Sequence, residues 1–263
     1  WSVNSKERLE FSCAIFDATG DLVANAPHVP VHLGSMSHAV KTVIAAVGAT
    51  AREGDAWMLN APWNGGTHLP DVTVITPVFV GGRAAFWLGS RGHHADIGGR
   101  TPGSAPPDST TIEEEGVVID LFPLVVRGML REAETRALLA SGRWPCRSPD
   151  QNIADLKAQI AANETGRREL LRVVAQHGAE VVAAYMGHVQ KNAEECVRAV
   201  IDRLVDGAFL YPMDIGTEIR VAVTVDHAAR SAKIDFTGTS PQHRGNYNAP
   251  QAVTRAVVLY VFR

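Results

Sequence analysis

Three of the ten histidines of this 263-residue chain fall within residues 65–99, GGTHLPDVTVITPVFVGGRAAFWLGSRGHHADIGG. Within this stretch His68, Asp71 and His93 are the donor types a divalent transition metal takes. Each offers a lone pair at about 2.0–2.2 Å, and two neutral imidazoles with one carboxylate do not overcharge the ion. His94 and Asp96 lie beside them. Histidines next to glycine also serve as turn or core residues satisfied by backbone hydrogen bonds, so both readings stay open for these neighbours. No HExxH signature is present to decide the matter by motif alone.

The elements that must position these donors are written in the same stretch. Residues 72–80 are rich in β-branched and aromatic side chains, Gly81-Gly82 is a two-residue turn signal, and 83–89 runs back. With those two glycines at the turn, antiparallel counting sets Asp71 opposite Gly92 and Pro70 opposite His93, so His68, Asp71 and His93 converge at the open end. Regular alternation would put His68 and His93 on one face and Asp71 on the other. Pro70 breaks the ladder at that point, so Asp71 is expected to turn inward at an irregular strand start.

Composition narrows the setting. With 46% hydrophobic residues the chain can bury a large core as one large domain or two moderate ones. A net charge of −3 and a pI near 6.4 leave no basic footprint for nucleic acid or an anionic membrane. Cys13, Cys146 and Cys196 are far apart with no CxxC pair, which reads as reduced thiols in a cytoplasmic protein. No apolar run reaches the roughly 20 residues needed to span a bilayer. The last residues, AVTRAVVLYVFR, break off within an amphipathic pattern, so further chain is expected beyond the C-terminus and a little before Trp1.

Taken in order, residues 10–16 and the LVAN segment form a hairpin around Asp17–Asp21. His28, His32 and His38 follow. Pro30 argues against His28 and His32 sharing one helical face, and all three are read as pocket walls. Ser35 or Ser37 is expected to cap a helix. Residues 54–64 give a short strand and loop, and 100–109 a Pro/Gly-rich loop of the kind that carries function. Thr110 with Glu113 resembles a capping box, and 117–127 reads as a buried strand. From Pro149 to about Leu204 the pattern is helical, interrupted by Gly166, Gly178 and Gly187, hence two or three helices packed as a hairpin. A second β unit covers 216–240, and the loop after it brings Asn246 and Asn248.

The expected class is α/β of the mixed α+β kind, with β-hairpins and a mixed sheet carrying a metal site, plus a long helical hairpin. The expected division is a metal-bearing β-rich part (1–148), a helical region (149–206) and a second β unit (207–263).

Several phrases together, ERLEFSCAIFDATGDLVANAPHVPVHLGSM, GGTHLPDVTVITPVF, SRGHHADIGG, DLKAQIAANETGRREL and DFTGTSPQHRGNYNAP, resemble the hydantoinase B/oxoprolinase family over nearly the whole chain. That family includes N-methylhydantoinase B subunits, the C-terminal half of 5-oxoprolinase, caprolactamase and acetone carboxylase alpha subunits. The resemblance implies a divalent metal (zinc, manganese, iron or cobalt) held by His68, Asp71 and His93. A further acidic ligand falls on Glu10, whose side chain is one methylene longer than the Asp of many relatives.

It also implies ATP-dependent opening of a cyclic amide, such as a hydantoin, 5-oxoproline or lactam, within a hetero-oligomer. A hydantoinase A-type partner subunit would bind ATP and phosphorylate the amide oxygen, in keeping with the lack of a GxxxxGK[ST] loop here. His94 or Asp96 would then move a proton or orient His93, and Arg91 would meet phosphate or oxyanion charge. Two alternatives remain: an alpha-type subunit of an ATP-dependent ketone carboxylase, marked by a bicarbonate requirement, and a non-catalytic, metal-stabilised partner subunit.

Overall fold

The computed structural model describes residues 2–26 and 29–262, the side chain of Leu33 excepted. His28 lies outside the described residues. A short helix α1 (Val3–Lys6) leads into strands β1 (Phe11–Asp17) and β2 (Leu22–Ala26), which pair as the expected hairpin. Helix α2 (Pro30–Val47) follows, then β3 (Ala56–Leu59), β4 (Asp71–Val80), β5 (Arg83–His93), β6 (Phe122–Val126) and β7 (Met129–Leu130). These strands make one seven-stranded sheet in the order β2-β1-β5-β4-β3-β6-β7, with every pairing antiparallel.

Helices cover both faces of this sheet. On one, Met36, Val40 and Val43 of α2 pack against Phe16, Ile75 and Trp87. On the other lie α4 (Pro149–His177) and α5 (Ala179–Ile201), which follow a shorter helix α3 (Glu132–Leu139). Ile153 and Leu156 of α4 meet Val72 and Val74, while Leu170 and, from α5, Val182 meet Phe86 and Leu88. Each fully buried aliphatic or aromatic side chain contributes about 1.5–3 kcal/mol, so this double-sided burial fixes which residues of the central strands face which helix.

Only one of the three glycines expected to interrupt the helical tract does so. Gly178, at φ 85°, separates α4 from α5, whereas Gly166 and Gly187 stay helical. Gly166 packs against Leu88, where a Cβ would sit 3.3 Å from the leucine. The second β unit has three strands, β8 (Gly207–Pro212), β9 (Glu218–Asp226) and β10 (Ser231–Asp235), of which β8 was not anticipated. Helix α6 (Gln251–Val261) returns to α2, where Gly34 leaves room for Ala256. The class is α/β of mixed composition, as expected, and among the described residues no helix is long and apolar enough to cross a membrane.

Several local expectations shift. Helix α2 starts at Pro30, with proline at its first turn, so Ser35 is inside the helix and caps nothing. The capping box is one residue later, Thr111 with Glu114, on a single 3-10 turn (Ile112–Glu114). Of 117–127 only 122–126 is a strand, although Val117 and Ile119 are buried.

The three cysteines are free, as read from their spacing. Burial pushes the Cys146 thiol up to about 12 and raises that of Cys13, while Cys196 is exposed. At pH 8 a thiol near 12 holds roughly a thousandth of the thiolate of an ordinary cysteine. Limited iodoacetamide labelling read by mass spectrometry is therefore expected to modify Cys196 first and leave Cys146 unlabelled until the protein unfolds.

Candidate metal centre

The central hairpin turns at Gly81-Gly82, both at positive φ, as its sequence requires. A bulge between Val78 and Phe79 shifts the register beyond it by one residue, so Asp71 pairs directly with His93 and Val72 with Gly92. This corrects the counted register, and it removes the need for Asp71 to turn inward at a broken strand start. Cross-strand partners share a face, and one extra residue exchanges the two faces. Thr73, Arg91, Asp71 and His93 thereby all lie on the side covered by α2.

His68, Asp71 and His93 converge, with one ligand atom from each within 4.8 Å of the others. His93 Nδ1 lies 2.7 Å from Asp71 Oδ1, and Thr67 Oγ1 donates to Asp71 Oδ2 at 2.6 Å. The His68 and His93 rings stand 5.4 Å apart, centre to centre. A third imidazole is present: His32 Nε2 is 3.7 Å from Asp71 Oδ1, and its Nδ1 faces Ser12 Oγ at 3.0 Å. Sequence reasoning treated His32 as a pocket wall, because Pro30 looked like a helix breaker instead of a helix start.

Electrostatics favour an ionised carboxylate and keep two of the three rings, His68 and His32, toward the neutral form. Burial opposes charge on Asp71, but the adjacent His32 and His93 outweigh it and hold the carboxyl well below its usual range. Burial lowers His68 and His32. It would lower His93 too, but the hydrogen bond to Asp71 and that carboxylate's charge reverse the sign and raise it.

Glu10 lies at the edge of this group. Its backbone carbonyl accepts from the His93 N–H at 2.9 Å, while its carboxylate pairs with Arg8 at 2.9 Å. The other three site candidates are engaged elsewhere. His94 is fully buried between α4 amides: Asn152 Nδ2 approaches its Nδ1 at 3.0 Å and Gln159 Oε1 its Nε2 at 3.2 Å. Since Asn152 also donates to Asp96 O, and Gln159 to Val72 O and Ser90 O, the amide orientations are set and the His94 proton sits on Nε2. Burial lowers the pKa of this ring.

Asp96 accepts from the N–H groups of Gly98, Gly103 and Arg147 and from the Arg147 guanidinium, which folds the loop onto itself. Arg91 is completely buried and donates to Thr73 Oγ1 (2.7 Å), Ser35 Oγ (2.5 Å) and Gly65 O (2.8 Å).

The loop bearing His68 is pinned by a residue the sequence reading passed over. Asn60 donates to Leu69 O and Val117 O and accepts from Ile119 N–H at 2.6 Å, and it is fully buried. Gly66 passes so close to Asn60 that a Cβ would lie 2.0 Å from its carbonyl oxygen. Asn60→Ala would orphan three buried backbone groups, and urea unfolding is expected to show a loss of about 2–4 kcal/mol. The signal for the α4 amides was available: Asn152, Gln159 and Asn163 fall on the apolar stripe of Leu156 and Ile160, where bare polar groups are costly.

Comparison with known proteins agrees with this architecture. A family model described as hydantoinase B/oxoprolinase matches residues 1–263. The chain is 44% identical to 5-oxoprolinase 1 of Arabidopsis thaliana, over all of this chain and 23% of that protein. It is 32% identical to caprolactamase subunit beta of Pseudomonas jessenii, over 76% of this chain and 34% of the relative. Among solved structures, the ATP-dependent caprolactamase of Pseudomonas jessenii superposes with a TM-score of 0.83 at 27% identity, covering 95% of this chain and 43% of that one. An acetone carboxylase in its nucleotide-free state shares the fold at a TM-score of 0.86 and 20% identity, over 98% and 36% of the two chains. The chain thus spans about a fifth to a third of the length of these curated relatives. The match along its whole length shows that the chain belongs to the hydantoinase B/oxoprolinase family.

Proposed function

We propose that this chain is the metal-binding part of an ATP-dependent cyclic-amide hydrolase that opens a hydantoin, 5-oxoproline or lactam ring together with a hydantoinase A-type subunit holding the nucleotide. The observation that carries the reading is the convergence of His68, Asp71 and His93 at the feet of one hairpin. The names of the relatives, 5-oxoprolinase and caprolactamase, supply the substrate class.

The donor chemistry fits a divalent cation. Two imidazoles and a buried carboxylate lie within the reach of one coordination sphere, and the half-buried His68 and the buried His32 are biased toward the neutral form. When bound, zinc, manganese, iron or cobalt would supply Lewis-acid activation of water near neutral pH. Asp71 brings the negative charge and Thr67 fixes its second oxygen, while Glu10, whose carboxylate pairs with Arg8, would have to leave that partner to join the set. His94 and Asp96 act by position, the first by docking the strand end on α4, the second by folding the loop after it. Arg91 holds Gly65, Thr73 and α2 together beneath the site.

The partner's share is to turn a poor electrophile into a good one: phosphorylating the amide oxygen weakens its resonance, and water can then add to the ring carbon. The test is elemental analysis of the chain, followed by ATP-dependent turnover of a panel of cyclic amides by the chain with its nucleotide-binding subunit. Chelator treatment is expected to abolish turnover and divalent metal to restore it. A metal-free protein that turns over at the full rate would overturn the reading.

A further inference from the structure

The Asp71 carboxylate meets two imidazoles besides His68, and they serve it differently. His93 Nδ1 at 2.7 Å occupies the space between the two side chains that a shared cation would enter. An ion held by the Nδ1 lone pair would end that nitrogen's donation to Asp71. The donor then left on the carboxylate is Thr67 Oγ1 on Oδ2, and His32 Nε2 stands beside Oδ1 at 3.7 Å, just outside hydrogen-bond distance. His32 itself is outside the convergent group. It reaches the carboxylate from the first turn of α2, fully buried, with Ser12 Oγ of β1 on its Nδ1 at 3.0 Å.

We propose that His32 is a positioning residue whose Nε2–H, 3.7 Å from Asp71 Oδ1, closes to a hydrogen bond on that oxygen when a cation is held and, backed by Ser12, keeps the carboxylate aimed at the ion without itself being a ligand. The tautomer follows from charge: the alternative would set the Nε2 lone pair against a carboxylate, whereas Ser12 can donate to a bare Nδ1. Groups that orient metal-bound side chains are typically worth 10–100-fold in metal affinity. The inference rests on the metal reading above and adds to it a residue from a different element.

The test titrates Co²⁺ into chelator-stripped full-length protein against a chromophoric competitor and records the visible bands of the bound ion. H32L is expected to weaken Co²⁺ about 10–100-fold and shift the bands. H32Q, whose amide N–H can occupy the place of Nε2–H, should restore most of the affinity, and S12A should show a smaller loss. If H32L does not fold, the contrast between H32Q and S12A on one side and wild type on the other carries the test. Wild-type affinity and bands in H32L, or in S12A if H32L does not fold, overturn the inference while leaving the metal reading intact. Equal weakening in H32L and H32Q also overturns it, because packing and not the donated proton would then be at stake. Absence of Co²⁺ binding to the wild type would defeat the metal reading itself.

Discussion

Asp71→Asn is expected to leave the purified protein with less than about a tenth of the divalent metal of the wild type, and to lower ATP-dependent turnover in the assembled enzyme by on the order of 100-fold or more. The reason is charge, since the change is nearly isosteric. The amide oxygen can still accept from His93 Nδ1, now at 2.7 Å from Oδ1, so the hairpin's feet stay together. What disappears is the negative charge of the group that the surrounding imidazoles hold ionised. Two imidazoles without it bind a hard or borderline cation weakly. Elemental analysis alongside thermal unfolding separates the effects: little metal with a nearly unchanged melting temperature is the expected pair, and a folded variant carrying stoichiometric metal would remove Asp71 from the coordination set.

The second large effect concerns stability. Arg91 is a guanidinium with no exposed surface, tying two strands, the Gly65 loop and helix α2 through three acceptors. Burial lowers its pKa to about 10, partly offset by Asp71, so it stays charged at neutral pH. Arg91→Met would fill much of the same space but strand the Thr73 hydroxyl and the Gly65 carbonyl without a donor. A loss of about 3–5 kcal/mol follows, which in a chain of this size lowers the melting temperature by roughly 10 °C. Arg91→Lys should recover only part of this, because one ammonium cannot reproduce the planar fork. A melting temperature within about 2 °C of wild type, with turnover lost, would instead assign Arg91 to stabilising charge on the reacting group.

Much of the site was legible because the hairpin announces itself. A β-branched run, two glycines and a return run leave few alternatives, and they bring His68, Asp71 and His93 to one end. The face on which Asp71 lies was not legible. Register has period two, so the unannounced bulge at Val78/Phe79 was enough to exchange the faces. Helix starts misled in the same local way. Serine is a good cap in isolation, but Pro30 satisfies the first turn and carries the helix through Ser35, freeing that hydroxyl for Arg91. Asn60 was hidden for a different reason: its partners are backbone groups of other segments, Val117 and Ile119 nearly sixty residues on, and single-residue identity carries no trace of them.

The same ribbon has a second end. Its ten-residue strand β4 separates the Gly81-Gly82 tip from Asp71 by roughly 30 Å, and a side chain added at either glycine would meet nothing within 4 Å. That tip is therefore an address on the molecule where an affinity tag, a dye or a crosslinker can be spliced in with the chemistry a full strand away.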